Sequence, residues 1–148
     1  MDVAALVTWL ITAGGGFVLL GTWLAKGGLR QQEAGVSRFS PGLIFGHFLL
    51  AAVGLLVWIA FVVSDESAGL AWTAFVLLLP VALLGFVMLA RWWRGRSAAA
   101  VAEPHGEVGI AAGPVAAEQR FPIVVVGAHG LLAVVTLVLV LAAAIDVS

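Results

Sequence analysis

The sequence contains no cysteine and no tyrosine, and only 10% of its 148 residues are charged. The lack of cysteine excludes disulfides, thiolate metal sites, iron–sulfur ligation and thiol catalysis, and the lack of tyrosine excludes tyrosyl proton or radical chemistry. Most of the chain is apolar instead. Hydrophobic residues make up 63% of it, whereas soluble domains are about 45–50% apolar and about 25% charged. This composition predicts an integral membrane protein.

Four apolar stretches are close to the length of about 20 residues that a membrane-spanning helix needs. They cover residues 3–25, 41–63, 68–90 and 122–144. An acidic residue at position 2 stands where a signal peptide would be basic, so we expect the first stretch to remain in the mature protein. The predicted fold is all-α, a four-helix transmembrane bundle that forms one integral membrane domain over residues 1–148.

The basic residues predict the orientation in the membrane. All seven lie between the first and second or between the third and fourth stretches: Lys26, Arg30, Arg38, Arg91, Arg94, Arg96 and Arg120. By the positive-inside rule, the connections at 26–40 and 91–121 face the cytoplasm, and both termini lie outside the cell membrane. Residues 96–119, which include His105, are rich in Ala, Gly, Pro and Glu and are predicted to form a flexible loop.

The tryptophans fall into two groups. Four lie at the predicted membrane boundaries, where indole rings commonly act as interfacial anchors: Trp23, Trp72, Trp92 and Trp93. Trp9 and Trp58 lie deeper and are candidates for packing inside the bundle. Three consecutive glycines at 14–16 weaken the first helix, and we expect them to permit the close approach of a neighbouring helix or to leave space over the edge of a porphyrin.

The second and fourth stretches align on a histidine without a gap. An Arg-Phe pair stands nine and eight residues before His47, and again before His129. The first and third stretches match more loosely, "LLGTWLAK" against "LLGFVMLAR" with one residue inserted. We therefore predict two tandem helix hairpins of the same topology, at about 1–66 and about 67–148, related by an axis along the membrane normal. Both histidines would then lie at one depth.

An ionisable residue near the bilayer centre costs roughly 2.5–3.5 kcal/mol on insertion scales and marks a candidate functional site. Duplication of one interhelical hydrogen bond is the simplest explanation of the histidine pair. The residues four and seven positions after each histidine share its helical face and are small: Ala51, Gly54, Ala133 and Thr136. A histidine followed by small residues leaves a shallow groove, for which close helix packing is the competing explanation.

A haem group suits this pattern, because its iron takes two axial imidazoles from facing helices of a bundle. We predict one haem b with His47 and His129 as metal ligands and with the four small residues lining the macrocycle. Arg38 and Arg120 would lie near the propionates, where Lys26 and Arg91 are also available. Other chemistries fit less well. Zinc requires more ligands, the spans hold no acidic residue for a proton or ion path, and neither a hydrolytic base–nucleophile pair nor a phosphate-binding loop is present.

The four-span layout and the His47/His129 pair resemble the small b-type membrane cytochromes, such as the cytochrome b561 type and the anchors of succinate dehydrogenase. The resemblance implies one-electron transfer in or next to a respiratory chain, with a quinone or a redox protein as partner. The protein could act as a homo-oligomer or as a subunit of a larger membrane complex. The alternative function is a small structural or accessory subunit whose histidines only hold helices together.

Overall fold

The computed structural model describes residues 1–64, 67–101 and 114–148, and of residues 98–101 the backbone only. It is all-α in these parts. The helices are α1 (Asp2–Ala25), a short α2 (Gly28–Glu33), α3 (Pro41–Val63), α4 (Ala68–Val101) and α5 (Ile123–Asp146), with a 3-10 helix at Ala117–Arg120. His105 lies outside the described residues.

The four long helices are apolar and long enough to cross a membrane, with mean hydropathies between 2.1 and 2.7 over their best windows. An apolar segment of this length can form a spanning helix without contacts to other segments, because a helix satisfies its own backbone hydrogen bonds within the span. The predicted four-helix bundle is thereby confirmed. Its placement in a lipid bilayer follows at the level of helix length and composition, whereas the choice of membrane and the orientation remain predictions.

Local signals explain several helix ends. Ser40 caps α3, since its Oγ accepts a hydrogen bond of 3.3 Å from the Leu43 N–H, and Pro41 occupies the first turn, where no intrahelical N–H is needed. Gly27 has a φ of +77°, a left-handed conformation that turns the chain from α1 into α2. The chain is helical at 96–101 and 117–120, where the sequence predicts a loop. The alanine run that ends α4 favours its extension, because alanine has the highest helix propensity.

The four helices form two closely packed pairs. α1 packs chiefly on α5, and α3 chiefly on α4, while smaller interfaces between α1 and α3 and between α4 and α5 join the two pairs. α3 and α5 therefore lie diagonally across the bundle. The connection at 26–40 and the residues at 114–122 meet at one end, which we call the basic end because it carries all the Lys and Arg side chains.

Two apolar clusters fill the bundle. The first lies toward the termini and is built around Trp9, Trp58, Phe61, Leu78 and Val140. The second, which we call the basic-end cluster, consists of Trp23, Phe39, Ile44, Trp92, Ala117 and Phe121. The layer between them contains the two histidines.

The tryptophans are sorted differently from the prediction. Trp9 and Trp58 are buried as expected, and Trp93 and Trp72 remain exposed. Trp23 and Trp92 are 0% and 3% exposed, so their assignment as interfacial anchors is wrong. Position along the helix places both at the membrane boundary, but the helical face turns both indoles into the bundle.

Candidate functional site: a histidine pair inside the bundle

His47 of α3 and His129 of α5 face each other across the bundle. Their ring centres are 6.3 Å apart, and the ring planes meet at 62°. Both side chains are partly buried. The tertiary structure thus brings together the two residues that the sequence singles out as ligands.

Each histidine is held by a backbone carbonyl of the helix beside it. His47 Nδ1 lies 3.0 Å from the Val81 oxygen in α4, and His129 Nδ1 lies 2.9 Å from the Thr12 oxygen in α1. Because a carbonyl oxygen can only accept, Nδ1 must carry the hydrogen in both rings. In the neutral imidazole, Nε2 is then the nitrogen with the free lone pair, which is the state that a metal ligand requires.

Glycines make these two carbonyls accessible. A helical carbonyl points toward the residue four positions later, and that residue is Gly16 after Thr12 and Gly85 after Val81. A Cβ at Gly16 would lie 3.2 Å from His129 Cε1, and one at Gly85 would lie 3.4 Å from His47 Cε1. Each imidazole therefore rests directly on the glycine backbone. The prediction that the 14–16 glycines permit close approach is confirmed at Gly16, whereas a Cβ at Gly15 would lie at an ordinary contact distance of 3.5 Å from His129.

These contacts align α1 with α4 differently from the alignment that the sequence suggests. They make Gly16 the counterpart of Gly85, whereas the "LLG" strings would pair Gly21 with Gly85. Sequence alignment of two apolar helices identifies equivalent positions poorly, because similar residues recur on every face. The tandem repeat itself stays a prediction.

The four small residues predicted to line a macrocycle have different surroundings. Ala51 and Ala133 are partly buried, one turn beyond the histidines. Gly54 lies against the indole of Trp9, and a Cβ at this glycine would be 3.2 Å from Cη2 and Cζ2 of the ring. Thr136 is buried, and its hydroxyl donates a 2.8 Å hydrogen bond to the Leu132 carbonyl of its own helix. The role of all four in cofactor binding stays a prediction.

The predicted propionate partners lie at the basic end. Arg38 and Arg120 are exposed, as are Lys26 and Arg91. An Arg91 guanidinium N–H donates to the Arg38 carbonyl at 3.0 Å, which draws α4 toward the start of α3. The arginine side chains are at the correct end of the bundle for an anion that extends from the histidine layer, and their role toward it stays a prediction.

A buried carboxylate at the basic end is a feature that sequence reasoning missed. Glu118 is 1% exposed. It accepts 2.8 Å and 2.7 Å hydrogen bonds from the Ser37 hydroxyl and the Arg38 backbone N–H. Ser37 Oγ in turn accepts a 3.2 Å hydrogen bond from the Trp23 indole. No local signal marks Glu118, because its partners lie about 80 positions earlier in the chain.

The chemistry that the site supports follows from its donor set. In the part of the chain that the structure describes, no group of three or more His, Asp or Glu side chains is placed to hold a metal ion. The pair therefore offers two neutral imidazole nitrogens, as haem iron requires when the porphyrin supplies the other four ligands. Comparison of the chain with protein-family models, with curated proteins and with solved structures found no match to any of them.

Proposed function

We propose that the protein binds one haem b between His47 and His129 and transfers single electrons within the membrane, in or next to a respiratory chain. The observation that carries the proposal is the pair of neighbouring imidazoles, each with Nδ1 engaged by a carbonyl and with no hydrogen-bond partner on Nε2 among the described residues. Bound haem would supply a reversible one-electron couple. The chain would supply the two ligands and their orientation.

The separation of the rings leaves room for an iron between them, which would require both Nε2 atoms to point toward it. A metal–imidazole bond of about 2.0 Å, with about 1.1 Å from the nitrogen to the ring centre on each side, places two ring centres about 6 Å apart. The observed separation is 6.3 Å.

The packing of the helices indicates where a macrocycle would lie. His129 belongs to the α1/α5 pair and His47 to the α3/α4 pair. A flat group held by the two histidines would lie at the smaller interfaces between the pairs and leave the closely packed ones intact. Phe17 of α1 and Phe48 of α3 meet at one edge of this layer, with ring centres 5.6 Å apart, and would shield that edge from lipid and water.

The partner and the location belong to the same proposal. The chain would exchange electrons with a quinone or a redox protein in the plasma membrane, as a homo-oligomer or as a subunit of a larger complex. The basic end would face the cytoplasm, in agreement with the positive-inside rule, and both termini would lie on the other side.

A structural function is the second candidate. The two hydrogen bonds that favour haem ligation also join α3 to α4 and α5 to α1. Interhelical polar contacts of this kind contribute on average about 0.6 kcal/mol in membrane proteins. An accessory subunit of a membrane complex could use the histidines for this purpose alone.

Asparagine variants separate the two candidates. The Asn side-chain amide can place an N–H where His has Nδ1–H, but it lacks any group equivalent to Nε2. Absorption spectra of the oxidised and dithionite-reduced protein, expressed with ample haem, are the measurement. We expect a sharp reduced b-type band that His47→Asn, His129→Asn and the two Ala variants abolish, while the Asn variants keep the thermal stability of the haem-free wild type.

The control is His105→Ala, which removes the third histidine of the chain and should leave the band unchanged. A colourless wild-type protein would overturn the cytochrome proposal. If the Ala variants then unfolded at lower temperature than the Asn variants, the histidines would be interhelical contacts, and co-purification would be the way to find the complex.

A further inference from the structure

Trp92 has a buried donor that no protein group uses. Its side chain is 3% exposed, and Nε1 is the only buried side-chain nitrogen or oxygen without a hydrogen-bond partner among the described residues. An unpaired buried donor costs about 1–3 kcal/mol. The corresponding indole of Trp23, 0% exposed, donates to Ser37 Oγ. The deficit is therefore specific to Trp92.

The position of Trp92 relates this donor to the histidine layer. Trp92 follows Gly85 by seven residues, which is close to two helical turns and about 10 Å along α4. The two residues thus share one helical face, and the His47 ring rests on that face at Gly85. Gly16 and Trp23 have the same spacing in α1, where the His129 ring rests on Gly16.

The surroundings of Trp92 limit what can accept this hydrogen bond. The indole packs in the basic-end cluster, which all four long helices or their flanking residues build, so lipid headgroups have no access to it. The nearby carboxylate of Glu118 is engaged by Ser37 and Arg38. An acceptor would have to come from within the bundle, and the histidine layer lies about 10 Å away along the same face of α4.

We infer that the Trp92 indole N–H binds a propionate carboxylate of the haem held by His47 and His129. The inference rests on the proposed function. Haem carries carboxylate groups in addition to its iron, and His47, which would hold the iron, packs on Gly85, about 10 Å from Trp92 along α4. The exposed arginines at the basic end would balance the charge, and Trp92 would provide the one donor that is buried and unpaired in the described part of the chain.

The test is a titration of hemin into the haem-free protein in detergent, with wild type, Trp92→Phe and Trp93→Phe compared. Hydrogen bonds to charged groups are among the stronger ones, so we expect Trp92→Phe to weaken haem binding roughly tenfold or more. Trp93→Phe is the matched control, because Trp93 is the adjacent tryptophan and is 60% exposed; its dissociation constant should equal that of the wild type.

The haem-free protein supplies an independent measurement. Trp92→Phe and Trp23→Phe both leave a cavity, but only Trp23→Phe removes an existing hydrogen bond. Trp92→Phe should therefore lower the melting temperature less. Replacement of the Trp92 indole by benzothiophene, in which sulfur takes the place of the N–H at nearly the same volume, removes the donor without a cavity and should weaken haem binding in the same way.

The outcomes distinguish a failure of the Trp92 inference from a failure of the proposed haem binding. Equal hemin affinity in wild type and Trp92→Phe, or in the benzothiophene variant, would overturn the inference alone. An equal loss of melting temperature in Trp92→Phe and Trp23→Phe would mean that water already satisfies the indole, and would also overturn it. A wild type that binds no hemin would overturn both proposals.

Discussion

His129 lies directly on the backbone of Gly16, with its Cε1 3.2 Å from the position of a Cβ at that residue. The same ring reaches the Thr12 carbonyl at 2.9 Å. A methyl group at Gly16, one turn after Thr12 in α1, would therefore press on the ring that makes this hydrogen bond, and His129 and Gly16 form one unit of the site.

Gly16→Ala should disturb the His129 ring. The added methyl group is too close to Cε1 for ordinary contact, and overpacking of this kind costs about 1–3 kcal/mol. Gly14→Ala is the matched control, because a Cβ at Gly14 meets nothing within 4 Å and gains helix propensity. We expect thermal unfolding in detergent, monitored by circular dichroism, to give a lower melting temperature for Gly16→Ala than for Gly14→Ala. Hemin affinity should fall only in Gly16→Ala. Identical melting temperatures in the two variants would contradict the assigned contact.

Glu118→Gln should loosen the basic end. The amide keeps one oxygen for the two donors that Glu118 now accepts from, and its NH2 group faces the other donor, so we expect a loss of about 1–3 kcal/mol. Both donors are neutral groups, so the loss should persist in high salt. Glu33→Gln, at an exposed position of α2, is the control and should be neutral. Denaturation at low and high ionic strength measures both, and a loss that disappears with salt would point to an ion pair instead.

Gly54→Ala should destabilise the haem-free protein through Trp9. A Cβ at Gly54 would lie 3.2 Å from Cη2 and Cζ2 of that indole, atoms that phenylalanine lacks. Trp9→Phe should therefore restore part of the lost stability, and a double-mutant cycle on the free energies of unfolding should give a coupling of about 0.5–3 kcal/mol. Additive effects would show that the packing of Trp9 does not require a glycine at position 54. A role beside the macrocycle would then regain support.

How far the sequence predicts the site differs from residue to residue. His47 and His129 are recognisable because an ionisable residue in an apolar span is conspicuous, and their shared spacing from an Arg-Phe pair indicates one depth. Gly16 and Gly85 are not recognisable as partners, since glycine is frequent in both helices and the hydrogen bonds involve backbone atoms. Glu118 falls in a segment whose composition predicts a flexible loop, because nothing near it in the chain indicates the distant hydroxyl that it binds.

The tryptophans show more clearly that position in the sequence does not predict burial. Trp23, Trp92 and Trp93 occupy one boundary by position along the helix, yet the first two are buried and the third is 60% exposed. Depth along a helix depends on residue number alone. The facing direction depends on which neighbour the helix packs against, and that is decided by contacts between segments far apart in the chain.

The four helices, their approximate ends except that of α4, and the two histidines follow from the order of the amino acids alone, because a run of about 20 apolar residues forms its hydrogen bonds locally and needs no partner to be recognised. Three further features became visible only in the folded chain: the pairing of α1 with α5 and of α3 with α4, the carbonyls that orient the imidazoles, and the unused donor of Trp92. Helices that are apolar on every side carry little information about their own packing face. In a membrane their association depends on close fit and on a few polar contacts, not on hydrophobic burial, and close fit is a property of two surfaces together.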